Sequence, residues 1–201
     1  MTTPRIAVLA LAALVAAAPS ARAGIPRPNL DFTLGTTFAA DGKPAGGGVS
    51  AAFSPMWDVT DHARFGPTVF ADDIGTSLVP LYDRNNGTSL GTIAETHRMT
   101  WGLAWRCDVD ALRRGRWNLD GSATLGVWRV QDDVTGNAFN GASGIGWTLG
   151  ALALRDLGHG RDLGLALRFH RIFPERNAAY DRVGRYATAA LEWRWSAPET
   201  R

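Results

Sequence analysis

Apolar side chains recur at every second position in about eight stretches of this chain, and turn-forming residues separate them. The clearest stretch is the last, Arg185 to Trp195. Ala187, Ala189, Leu191, Trp193 and Trp195 share one phase, and Thr188, Ala190, Glu192 and Arg194 share the other. A repeat of two is the signature of a β-strand with one apolar and one polar face. The fourth stretch sets Met99, Trp101, Leu103, Trp105 and Cys107 against Arg98, Thr100, Gly102, Ala104 and Arg106. The fifth (Trp117 to Val127), sixth (Gly144 to Ala153) and seventh (Leu163 to His170) alternate in the same way. The first, Leu30 to Phe38, and the second, about 47–55, are shorter versions. The third, Phe65 to Ala71, carries Pro67, which a central strand disfavours.

The connections are uneven. Asp41-Gly42-Lys43-Pro44 and Asp83-Arg84-Asn85-Asn86-Gly87 are strong turn signals. Long polar loops are expected around 72–96, 131–142 and 174–182. The polar phase of the strands is mostly Gly, Ala, Ser and Thr. The 201 residues include one lysine, Lys43. A soluble barrel would turn a surface of Lys and Glu to water. Small polar side chains instead suit the bore of a narrow barrel, where about eight strands leave room only for side chains. The apolar phase then faces lipid. A closed barrel also satisfies every backbone N–H and C=O inside hydrocarbon. The expected fold is therefore all-β: a closed, antiparallel, up-and-down transmembrane barrel of about eight strands.

The N-terminus agrees. Arg5, an apolar run from Ile6 to Ala18, and the small-x-small ending Ala21-Arg22-Ala23 form a secretory signal peptide over 1–23. The barrel domain then covers 24–201. Arg5 and Arg22 fall in that leader, so the 21 basic and 19 acidic residues of the full chain come into balance beyond it. There is no basic patch to read nucleic acid. One cysteine, Cys107, permits no internal disulfide, and four dispersed histidines offer no metal-ligand spacing. No metal and no cofactor is expected.

If both termini lie in the periplasm, Trp105, Trp117, Trp193 and Trp195 fall near one membrane boundary as an aromatic girdle. The lumenal phase carries Arg98, Arg106, Asp108, Asp120, Arg168, His170, Glu192 and Arg194. Charges inside a narrow bore are costly unless paired. These residues are expected to form a polar network of ion pairs, Glu192 with a neighbouring arginine among them.

With these features the chain resembles small outer-membrane β-barrel proteins of the OmpA/OmpX type over nearly all of its length beyond the leader. The resemblance implies the cell outer membrane and contact with membrane lipid and lipopolysaccharide. It also implies insertion by the barrel assembly machinery and a monomeric state. The closing Leu191-Glu192-Trp193-Arg194-Trp195 looks like the aromatic-ended strand presented to that machinery, although Ser196 to Arg201 follow it. Phe169-His170-Arg171-Ile172-Phe173 is similar to the penultimate strand of the outer-membrane lipid A deacylases, which carries His-x-Ser-Asn. Only His170 matches; Ile172 and Phe173 replace the Ser and Asn. A base without a nucleophile cannot run acyl transfer by that route, so His170 is a weak catalytic candidate. Asp72, Asp73 and His97 resemble part of an omptin protease rim, but solvated loop acids are the better reading.

The favoured function is structural or surface-interacting, with outer loops presented from a side-chain-filled barrel. The alternatives are a lipid A acyl hydrolase working at the rim, a narrow channel for small solutes, and a soluble lipocalin-like barrel.

Overall fold

The computed structural model describes residues 27–39, 48–82, 89–134, 138–174 and 185–196. Eight strands run in chain order: β1 (Asn29–Ala39), β2 (Gly48–Thr60), β3 (Ala63–Tyr82), β4 (Ser89–Arg114), β5 (Trp117–Val134), β6 (Ala138–Gly158), β7 (Arg161–Pro174) and β8 (Arg185–Trp195). Each pairs antiparallel with its sequence neighbours, and β1 pairs with β8 from Leu30↔Trp195 to Ala39↔Tyr186, which closes the barrel. Tight turns join β2 to β3, β4 to β5 and β6 to β7 at the end where β1 begins and β8 finishes, here called the terminal end. The backbone carbonyls of His62, Arg116 and Gly160 in or beside those turns accept from Asp110, Asp156 and Ser196 of the next hairpin or chain end, at 2.7–2.9 Å. Gly115 takes φ 63° in one turn, and His159 (56°) lies between two left-handed glycines in another.

The two faces sort as the alternation predicts. Leu34, Ile145 and Leu167 are each 63% exposed on the outside, whereas Asp31 and Glu192 are fully buried in the bore. Large exposed side chains, among them Phe32, Leu103, Trp105, Leu125 and Leu191, cover the exterior of every strand. In water such a surface would be an extensive apolar patch. In hydrocarbon it is the required one.

Three expectations need correction. First, 72–96 and 131–142 are not long loops: β3 runs to Tyr82 and β4 starts at Ser89, while β5 runs to Val134 and β6 starts at Ala138. Paired main chain continues there from Thr76↔His97 to Tyr82↔Ser89. Alternation is weak in these extensions because a hairpin that runs past the closed part of the barrel, as β3 does beyond its last β2 partner at Asp72, has no enclosed face to enforce it. The turn signals at 41–44 and 83–87, and the segment 175–182, lie outside the described residues.

Second, Pro67 does not weaken β3. It stands level with Pro55 of β2, inside the interval between Phe53↔Val69 and Trp57↔Phe65 where the ladder has no paired residues. Two residues without an N–H thus share one gap, and Ser54 Oγ bonds Thr68 Oγ1 at 2.7 Å beside it.

Third, the bore is not lined by small polar and charged residues alone. Trp128, Val130, Ile74, Ile172, Ala104 and Tyr186 form a buried cluster inside it, and Leu152, Leu154 and Ala166 form a second. Glycines make the room. A Cβ on Gly146 would come within 2.9 Å of the Trp128 ring, and one on Gly102 within 2.6 Å of the Phe70 ring.

Candidate functional site

Two tiers of side chains fill the bore. The tier nearer the terminal end is ionic. Alternation turns Asp31 (β1), Arg64 (β3), Arg106 and Asp108 (β4), Asp120 (β5), Arg168 (β7), and Glu192 and Arg194 (β8) inward, and all are buried. Arg64 grips Asp31 with two bonds, at 3.0 and 3.3 Å, and also donates to Asp108 at 2.8 Å. Arg106 donates Nε and Nη2 to the two oxygens of Asp108, both at 2.8 Å, and Nη2 again to Glu192. Arg168 donates to the other Glu192 oxygen, which also accepts from Thr33 at 3.2 Å. Arg194 reaches Asp120 at 3.0 Å and Asp108 at 3.3 Å.

Four guanidinium groups therefore meet four carboxylates. Desolvating an ion costs several kcal/mol, and only close geometry with further hydrogen bonds offsets that. Bidentate, charge-assisted contacts of this kind are the strong class. The tier ties β1, β3, β4, β5, β7 and β8 together across the bore. Asp31, Asp108 and Glu192 bring oxygens within 4.8 Å of one another, a spacing that could hold a metal ion. The arginines already occupy that space: Arg106 lies within 3.6 Å of all three carboxylates. A cation would meet their positive charge, so the donor set does not suit a metal.

Among the described residues, the buried side chains of the tier nearer the loops are uncharged apart from Asp72. Asp72 accepts from Ser50 Oγ and from Tyr186 Oη, each at 2.6 Å. Tyr186 Oη lies 3.2 Å from Thr100 Oγ1. The Tyr186 ring stacks on His170 with centroids 4.3 Å apart and planes 4° from parallel. His170 Nδ1 is 3.0 Å from Thr148 Oγ1, and its Nε2 is 3.2 Å from Thr188 Oγ1. Trp128, packed at 4.9 Å against Phe70, belongs to the apolar cluster beside this group.

The sequence-selected residues divide between these places. Arg106, Asp120, Arg168, Glu192 and Arg194 meet in the ionic tier; His170 lies in the other. Arg98 is half-buried further toward the loop end of β4, where its register partners are Gly75 and Asp132. Trp117 opens β5, and Trp193 and Trp195 close β8, all exposed. Trp105 is also exposed but sits well inside β4, stacked on Phe65 at 5.1 Å and 1°. The sequence pattern places Asp31 on the inward phase of the first stretch without marking it as part of the network, and Arg64 lies just before the third stretch as the alternation delimits it, whereas β3 begins at Ala63. Asp72 is not a solvated loop acid: it is 1% exposed and lies within β3. The His97 side chain is outside the described set.

His170 is buried, and the serine of the deacylase pattern has no counterpart at Ile172. Both ring nitrogens are taken by threonine hydroxyls, and Ile172, at the position of the deacylase serine, is buried in the apolar cluster. The bore does open at the terminal end, in a vestibule of about 910 Å³. Asp58, Asp61, Asp110, Asp156 and Asp162 line it, and Arg64 and Arg194 of the ionic tier also border it.

No protein-family model and no curated protein matches this chain. Among solved structures it is similar to Neisserial surface protein A, with a TM-score of 0.58 and 13% identity, covering 84% of this chain and 95% of that one. It is also similar to a major outer membrane protein from Thermus thermophilus, with a TM-score of 0.56 and 12% identity, covering 86% and 99%. At such identities the likeness is one of fold: the chain is an eight-stranded barrel of the kind seen in small outer-membrane proteins.

Proposed function

We propose that this chain is a monomeric bacterial outer-membrane barrel that holds surface loops and neither conducts solutes nor catalyses a reaction. A signal peptide over 1–23 exports it, the barrel assembly machinery inserts it, and membrane lipid and lipopolysaccharide surround it. The terminal end faces the periplasm. The observation that carries the reading is the inversion of the two phases. Leucines, tryptophans and phenylalanines clothe the outside, while a charge-balanced ionic tier and an apolar cluster fill the inside. The fold likeness to outer-membrane barrels supports it.

Fractionation tests the location: the protein is expected in the outer-membrane pellet, and recovery in the osmotic-shock supernatant would defeat the reading. Planar-bilayer recording tests the filled bore. The reconstituted barrel is expected to be electrically silent, and steady stepwise currents would make it a channel. The vestibule is the feature that favours a narrow channel, but it runs into the Arg64 and Arg194 ion pairs. Lipid A mass profiles of cells carrying wild type or His170→Ala are expected to coincide.

A further inference from the structure

Arg171 of β7 and Arg185 of β8 are direct register partners. Both lie on the outward phase, next to the inward-facing His170, Ile172 and Tyr186. Like charges set directly opposite each other on adjacent strands are destabilising. Among the described residues neither arginine has a carboxylate partner. Their surroundings are aromatic. Arg171 lies 5.2 Å over the Phe173 ring, and its register partner on β6 is Trp147, which packs on Phe169 at 6.0 Å. A third outward arginine near the loop end, Arg129 of β5, lies 6.0 Å over Trp101. At the terminal end Arg155 likewise lies 5.9 Å over the Trp117 ring, but it faces no second arginine across the ladder; there Arg113 is ion-paired with Asp110, and further aspartates ring the vestibule.

We infer that Arg171 and Arg185 form a clamp for a phosphate group of an anionic lipid in the leaflet at the loop end. A tetrahedral phosphate suits two guanidinium forks at once and removes the repulsion between them. Aromatic side chains with their rings at the apolar boundary belong at headgroup depth, and the long arginine stems let the charges rise to that level. The same flanking rings favour a lipid over free phosphate, because they would contact its acyl and sugar portions. The inference rests on the proposed outer-membrane location.

The test is a binding titration of the refolded barrel in zwitterionic detergent, read by tryptophan fluorescence. Three probes are compared: bis-phosphorylated lipid A, the same lipid with its phosphates removed, and inorganic phosphate. The phosphorylated lipid is expected to bind. Arg171→Gln and Arg185→Gln should each weaken it about tenfold, as expected for one charge-assisted hydrogen-bonding group, and Arg113→Gln should leave it unchanged. Equal binding of the dephosphorylated lipid, or unchanged affinity in both single variants, overturns the clamp. Inorganic phosphate binding as tightly as the lipid overturns the lipid assignment. Heat-dependent gel migration checks folding; should Arg171→Gln fail to fold, the exposed Arg185→Gln carries the measurement. Loss of binding specificity in a protein that still fractionates with the outer membrane sinks only this inference, whereas a soluble wild type sinks the parent reading.

Discussion

The two tiers of the bore solve one problem in opposite ways. Near the terminal end the space is filled mainly with charge, beside the small Leu152–Leu154–Ala166 cluster, and each carboxylate is held by an arginine from another strand. Near the loops it is filled with rings and branched aliphatic side chains around one buried acid, Asp72. The ionic tier gains its strength from electrostatics in a desolvated place, so it tolerates the loss of no single partner. The other tier gains from contact area and shape, so its losses scale with volume removed. A barrel of this width thus needs no conventional core: its interior is a salt lattice with two small hydrophobic clusters, one of them beside the lattice itself.

The largest test of that contrast is Arg106→Met. It strands Asp108 and Glu192 among fewer cations and is expected to cost about 4 kcal/mol, the range for breaking a buried pair. Urea unfolding of the refolded barrel in detergent measures it. Adding Glu192→Gln to that variant should recover part of the loss, and a double variant that is strictly additive would show that the pair is not coupled. Next comes Trp128→Ala, expected to cost about 3 kcal/mol through cavity formation; a loss below about 1 kcal/mol would mean that the ring is not packed. Tyr186→Phe removes one bond to Asp72 and keeps the ring, so about 1–2 kcal/mol is expected. The smallest effect is that of salt. Raising NaCl from about 0.1 to 1 M should weaken the exposed Arg113–Asp110 pair and leave the ionic tier almost untouched, since screening acts mainly on solvated charges. Comparing the salt dependence of Arg113→Gln and Arg106→Met stability reads this difference.

Much of the fold is legible because a closed barrel imposes a strict rule, with each strand alternating between an enclosed face and an outer one. In the closed body of the barrel, the alternation of residues such as Trp101, Leu149, Leu167 and Leu191 on β4, β6, β7 and β8 identifies the outward face without ambiguity. The rule fades where the β3–β4 hairpin runs beyond the last β2 partner at Asp72, so the pattern cuts β3 and β4 short and makes Asp72 look like a loop acid. The phase alone also says only that a side chain points inward. It does not say which side chains meet. Arg64 finds Asp31 on β1, a strand it does not adjoin, and Arg106 finds Glu192 from across the bore. Those encounters follow from the stagger of all eight strands around the cylinder, a global quantity that no single stretch encodes. Trp128 escapes the pattern for a different reason. It follows the outward Val127 at the end of a clear apolar run, and only the space left by Gly146 across the ladder lets an indole fit inside.

The seam between β1 and β8 has its own consequence for biogenesis. Leu30 pairs with Pro55 of β2 on one side, but its other side has no mate until Trp195 has been synthesised, so one edge of the first strand stays open until the chain is nearly finished. A chain truncated before Arg185 would not make a smaller cylinder. It would leave two raw margins of unsatisfied amides, and its fate would be quality-control proteolysis or adhesion to other nascent chains.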